Sequence, residues 1–113
     1  MIEIIKGNPG ITHLNLEDCL QLTGASLNTI ASELKELVWF KAKGCKNLTE
    51  DFTEIRALKD MKVKQMDLSQ TDITDAKLLI FIENIPSLKS ILLKGNFFKK
   101  LISRMQGNHL PWS

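Results

Sequence analysis

The sequence predicts an α/β solenoid, with parallel strands on a concave face and helices on a convex one. Three observations carry this expectation. First, a pattern recurs: Ile11, Leu14, Leu16, Cys19, Leu22 and Thr23 are matched 26 residues later by Leu37, Phe40, Ala42, Cys45, Leu48 and Thr49. A third pass reads Val63, Met66, Leu68 and Thr71, with Ile73 and Thr74 slipped by one place. A fourth reads Leu88, Ile91, Leu93, Asn96 and Phe98. The passes begin at residues 11, 37, 63 and 88, so the steps are 26, 26 and 25 residues. Self-similarity at such a period marks stacked supersecondary units. Second, the centre of each pass alternates apolar with polar, the period of a strand with one buried face. Third, the segment after each Thr has helical spacing, with Leu27, Ile30, Ala31 and Leu34 at i, i+3, i+4 and i+7. No such unit buries its apolar stripe alone, and stacking makes the sheet and the helix layer together.

Taken in order, the chain opens with a half unit, residues 1–10. Asn8-Pro9-Gly10-Ile11 stands in the same phase as Ile85-Pro86-Ser87-Leu88, a link from helix to strand. Residues 1–7 therefore read as the end of a helix from a preceding unit that the chain does not contain. Units of residues 11–36, 37–62, 63–87 and 88–113 follow, together one domain spanning 1–113. Thr23, Thr49 and Thr74 stand at N-cap positions, with Glu50-Asp51 and Asp75 in first turns that favour acids. The second helix has the apolar positions Phe52, Ile55 and Leu58, and the third has Leu78, Leu79, Ile82 and Ile85. Lys99 to Gln106 carries Leu101, Ile102 and Met105 as a final short helix, and His109-Leu110-Pro111-Trp112 is placed to fold back as a cap. A solenoid this short needs its ends covered. Either the chain is part of a longer array or a partner covers one end.

Composition bounds the function. Of 113 residues, 43% are hydrophobic and 25% charged, which excludes global disorder. Fifteen Lys and Arg against thirteen Asp and Glu leave +2, a balance that demands neither nucleic acid nor an anionic membrane. The longest apolar run, Leu78 to Ile82, is five residues, against the roughly 20 that a membrane helix needs. Met1-Ile2-Glu3-Ile4-Ile5-Lys6 has neither the basic start nor the apolar length of a secretory signal. The charge is uneven, −2 over residues 1–60 and +4 over residues 61–113. Lys94, Lys99, Lys100 and Arg104 gather near the C-terminus, but only Phe97 and Phe98 interleave them, too few aromatics for a nucleic-acid surface. Asn47-Leu48-Thr49 is a glycosylation sequon that falls within the repeat pattern and matters only in a secreted chain.

Cys19 and Cys45 share one slot of successive units, continued by Thr71 and Asn96. A small side chain in such a turn can bond backbone groups left unpaired by the bend. Metal binding wants four ligands, and only His13 and His109 are available to add, with no C-x-x-C spacing. A nucleophilic Cys wants a His beside it, and His13 projects from the strand while Cys19 turns inward. With no glycine-rich phosphate loop and no paired carboxylates either, the expectation is no enzyme, no catalytic residue, no metal and no cofactor.

The concave face follows from alternation along each strand. It carries His13, Asn15 and Glu17, then Trp39, Lys41 and Lys43. Gln65, Asp67 and Ser69 continue it, then Ser90, Leu92 and Lys94. Most of these suit a solvated sheet. A solvent-facing Trp is unusual, and aromatic residues lead among interface anchors. Trp39, with Lys41 and Lys43 beside it for an acidic or phosphorylated ligand, and with His13, Asn15, Gln65 and Asp67 around it, is the candidate partner-binding surface. The alternative for Trp39 is packing against a neighbouring side chain.

The runs Leu14-x-Leu16-x-x-Cys19-x-x-Leu22-Thr23 and Phe40-x-Ala42-x-x-Cys45-x-x-Leu48-Thr49 resemble the cysteine-containing class of leucine-rich repeats. The third and fourth units, with Thr71 and Asn96, look more like the ribonuclease-inhibitor class. The resemblance covers roughly residues 1–98 and implies a short right-handed horseshoe. Such arrays form the substrate-recruiting arm of F-box proteins and occur in bacterial effectors delivered into host cells. The resemblance thus implies a non-enzymatic scaffold in the cytoplasm, of a host cell if the chain is bacterial, that binds a protein or peptide on its concave strands. No F-box-like helical segment precedes the repeats, so a ubiquitin-ligase role would need a second chain or a missing N-terminal part. The alternative is a structural subunit that forms a homo-oligomer through its open solenoid ends. Neither reading involves nucleic acid or a membrane.

Overall fold

A computed structural model describes residues 2–48, 52–53 and 55–95. The expectations placed on Thr49, Glu50, Asp51, Asn96 and everything beyond it, including the final helix and cap, lie outside the described residues. The elements are α1 (Ile2–Gly7), β1 (His13–Asn15), α2 (Gly24–Glu33), β2 (Trp39–Lys41), α3 (Ile55–Leu58), β3 (Gln65–Asp67), α4 (Asp75–Asn84) and β4 (Ser90–Leu92). The four strands form one parallel sheet in the order β1-β2-β3-β4. Parallel neighbours need a crossover between them, and α2, α3 and α4 supply the three.

The register of the sheet reproduces the sequence repeat. His13 aligns with Trp39, Trp39 with Gln65 and Gln65 with Ser90. Before β1, β2 and β4 the backbone makes the same turn: Ile11, Leu37 and Leu88 donate to the carbonyls of Asn8, Leu34 and Ile85, each at 3.2 Å. The carbonyls of Thr12, Val38 and Lys64 each accept two successive N–H groups of the next strand. Past the strands the ladder continues, with Leu16 and Asp18 donating to Lys41 and Lys43, and Ala42 and Gly44 to Asp67 and Ser69.

The middle residue of each strand faces the helices. Phe40, Met66 and Ile91 are buried in one cluster with Leu27, Ile30 and Ala31 of α2, Leu58 of α3 and Leu78 and Phe81 of α4. All the helices whose burial is described therefore lie on one side of the sheet. Two helix starts match expectation. Thr23 and Ser26 form a reciprocal capping box, each hydroxyl accepting the other's N–H at 3.3 Å. Thr74 accepts the Lys77 N–H, also at 3.3 Å, with Asp75 in the first turn of α4. At the far end of α2 the Lys35 ammonium donates to Ala31 and Ala57 carbonyls at 3.0 and 3.2 Å, closing the last turns of two helices at once.

The second crossover departs from the expected stripe. Phe52 and Leu58 are buried, but Ile55 is 39% exposed. The cause is that α3 begins only at Ile55 and has four residues, so Phe52 is not on its lattice. Phe52 instead meets the edge of Phe81, ring centres 5.4 Å apart. The chain ahead of α3 is held by the flanking helices: Asn28 accepts the Thr53 N–H at 2.8 Å and Lys77 donates to the Phe52 carbonyl at 3.0 Å. Polar side chains of α2 and α4 replace the helical bonds that this segment lacks.

One backbone feature recurs with the repeat. Asp18, Gly44, Gln70 and Gly95 take φ values of 58, 76, 56 and 80°, all in the left-handed region. They follow one another at the same 26, 26 and 25 steps. Each follows the extended run, and after Asp18, Gly44 and Gln70 the chain turns toward the next helix.

Candidate functional site: the outer face of the sheet

The side of the sheet away from the helices bears the candidate residues. In β1, His13 and Asn15 are exposed, while Trp39, Lys41, Gln65, Ser90 and Leu92 are half-buried by their cross-strand neighbours. Lys43, just beyond β2, is half-buried as well.

His13 and Trp39 are aligned across β1 and β2, with ring centres 6.0 Å apart and planes tilted by 31°. That separation lies within the range of favourable aromatic pairs. The Thr12 hydroxyl lies 3.0 Å from His13 Nδ1. Trp39 therefore packs on a neighbour and still presents part of its ring to solvent.

The lysines beside Trp39 differ. Lys41 is engaged, its ammonium 2.8 Å from the Glu17 carboxylate. The hydrogen bond from Lys41, with its charge, holds Glu17 below the usual carboxylate range, and the same bond raises Lys41 above the usual lysine value. Asp67 adds a weaker pull on Lys41 from the other side. Lys43 makes no side-chain bond among the described residues and adds only a weaker charge interaction with Glu17.

Asp67 is 8% exposed, where alternation alone predicts an open surface. Its Oδ1 accepts the Ser69 N–H at 3.0 Å, as Asn15 Oδ1 accepts that of Glu17 two units earlier, also at 3.0 Å. Both side chains close the end of their own strand. Ser69 in turn accepts the Lys94 N–H at 3.0 Å and is 2% exposed. The structure thus brings His13, Trp39, Lys41 and Lys43 together at one side of the face, Gln65 next in line, and places Asp67 beneath it.

The cysteine slot is occupied structurally. Cys45 is fully buried, and its thiol donates to the Leu16 carbonyl of the preceding unit at 2.9 Å. Burial pushes that thiol up from its ordinary value. Cys19 is half-buried, and both are free thiols. The Thr71 hydroxyl donates to Leu68 in its own turn at 2.8 Å. Among the described residues no His, Cys, Asp and Glu side chains group in a way that could hold a metal ion.

Between the sheet and the helices lies an apolar cavity of about 20 Å³, lined by Leu27, Ile30, Phe40, Phe52, Met66 and Phe81 among others. That is room for one water, not for a substrate. Among the described residues no helix is long and apolar enough to cross a membrane.

Sequence reasoning missed the rim where β3 and β4 begin. Lys64 and Lys89 are exposed where β3 and β4 begin. The repeat step of 25 that aligns Gln65 with Ser90 also aligns these two, so the signal was present one residue outside the apolar pattern. No model of a known protein family matches this chain, and no curated protein matches it.

Proposed function

We propose that the chain is a leucine-rich repeat solenoid that binds a protein or peptide on the outer strands of its sheet and works without catalysis. Three features support the solenoid part: the sequential parallel strand order, a register equal to the sequence repeat, and the left-handed residue that recurs at the same steps. The observation that carries the binding part is the His13–Trp39 pair on the face opposite the helices, part of the indole still open to solvent. A large, rigid aromatic on a sheet surface supplies contact area at little entropic cost. Two free thiols fit a reducing compartment such as the cytoplasm.

The test is Trp39→Ala. Unchanged circular dichroism and melting, with a partner bound at least tenfold more weakly, is the expected result. Equal binding by both chains would remove Trp39 from the site and the reading with it.

A second reading is self-association through the sheet edge. Among the described residues β1 has a strand on one side only. The edge is partly closed, because the Glu17 N–H is already taken by Asn15. A light-scattering mass that stays near 12.8 kDa at high concentration decides against it.

A further inference from the structure

Among the described residues the lysines differ in what they engage. Lys35, Lys46, Lys62 and Lys77 reach from one unit to the next, bonding the Ala57 carbonyl, the Gln70 carbonyl, the Glu36 carboxylate and the Phe52 carbonyl. Together with Lys41 on Glu17, they are engaged in holding units together. Lys64, Lys89 and Lys94 have no side-chain partner among the described residues, nor do Lys6 at the end of α1 and Lys59 just after α3, and Lys43 makes no side-chain bond but acts by charge on Glu17.

Four of these, Lys43, Lys64, Lys89 and Lys94, stand at the rims of the sheet. Register places Lys64 beside Lys89 on the rim where β3 and β4 begin. Lys43 and Lys94 occupy equivalent positions on the opposite rim, two residues beyond the ends of β2 and β4. Between the rims the floor is Gln65, Ser90 and Leu92, all uncharged and half-buried. Residues 64–69 and 89–94 hold three lysines against one carboxylate, Asp67. That carboxylate is buried and bonded to the Ser69 N–H. The β3–β4 half of the face is therefore a floor with one covered carboxylate, Asp67, framed by three lysines that have no side-chain partner among the described residues, with an aromatic platform on the adjoining strands.

We infer that the partner of this face presents an acidic extended segment, which lays an apolar or aromatic residue on Trp39 and carries its carboxylates across β3 and β4 to the lysine rims. The inference rests on the binding reading above and adds the chemistry of the partner. Scale agrees with it: the two strand spacings from β2 to β4 come to about 10 Å, which an extended peptide crosses in about three residues. Cations held on a fixed frame at a sheet surface favour such a segment through charge complementarity, which acts on partner choice and association rate more than on raw affinity.

A displayed library of short random peptides, selected against the immobilised full chain, tests this. Parallel selections use Trp39→Ala and the triple variant Lys64→Gln/Lys89→Gln/Lys94→Gln, whose side chains are exposed and whose folding is checked by melting. The expected result is a pool from the native chain enriched in Asp and Glu beside an apolar residue. The enrichment in acids disappears with the triple variant, and the pool as a whole disappears with Trp39→Ala. A synthetic peptide from that pool should bind the triple variant about tenfold more weakly in fluorescence anisotropy. Binding should also weaken with added salt, less steeply in the variant. Binders that depend on Trp39 but show no acidic bias would overturn the inference and leave the binding face standing. The absence of any Trp39-dependent binder would remove both. A single-stranded oligonucleotide of matched charge that binds more tightly than the acidic peptide would overturn a protein partner in favour of nucleic acid.

Discussion

The turns after β2 and β3 stand at the same point of the repeat and are built differently. After β2, Gly44 takes φ of 76° and is itself buried, and Cys45 sends its thiol back to the Leu16 carbonyl of the preceding unit. After β3, Gln70 takes φ of 56° with a full side chain, and Thr71 bonds Leu68 within its own turn. Asp67 and Ser69 add two further side-chain bonds there. The slot side chain of the first turn bonds the preceding unit, whereas that of the second bonds its own turn. The contrast extends along the stack. Asp18 lies over Gly44, where an added Cβ would overlap its carboxylate, and Gln70 lies over Gly95, 3.1 Å from where a Cβ would stand. A left-handed residue with a side chain is followed each time by one without. Close stacking of units leaves room for one side chain per pair, and the left-handed region makes glycine the cheap member.

The largest expected effect breaks this alternation at its buried point. Gly44→Ala should cost about 3 kcal/mol, from left-handed strain plus overlap with Asp18. Asp18→Ala in the same chain should return part of it, because the overlap is with a side chain. Gly95→Ala, exposed and less crowded, should cost only about 1 kcal/mol. Urea titrations of the variants settle the order, and equal losses at the two glycines would mean that stacking does not distinguish them.

Next come the slot residues themselves. Thr71→Val removes a buried hydroxyl that bonds Leu68 and should cost about 1.5 kcal/mol. Cys45→Ala should cost about 1 kcal/mol, since Leu16 keeps the Cys19 N–H at 3.1 Å. The two thiols should also separate under alkylation of the native chain. Half-buried Cys19 reacts first, while Cys45, buried and pushed up in pKa, reacts only as the turn opens. Equal labelling rates in peptide mass analysis would show that the turn after β2 is not held as described.

The smallest effect concerns the Lys41–Glu17 pair at the sheet surface. Because Glu17 is lowered from 4.5, its contribution is present above that value and fades as pH falls through the lowered one. Because Lys41 is raised from 10.5, its contribution is complete below that value and fades only at higher pH. Stability should therefore be insensitive to this pair across neutral pH. Glu17→Gln should leave the urea midpoint within error, while freeing Lys41 as a further cation on the outer face.

The amino-acid pattern by itself determined the repeat steps, the four strands and their core-facing residues, and the Thr caps of α2 and α4. These features are local or strictly periodic: a period of two assigns strand faces, and a hydroxyl three residues before a free N–H makes a cap. The same periodicity named His13 and Trp39 as neighbours, since equal phase in adjacent units means adjacent positions in a parallel sheet. Only the tertiary structure decided which members of the outer face are free. Asp67 and Lys41 share the phase of solvent-facing residues, yet one is covered and bonded to its own strand end and the other is paired with Glu17. It likewise decided that α3 shrinks to four residues and turns Ile55 outward, because bonds from Asn28 and Lys77 hold the segment ahead of it. Periodicity states which way a side chain points. What it meets there depends on atoms from the units on either side, whose reach no spacing rule contains.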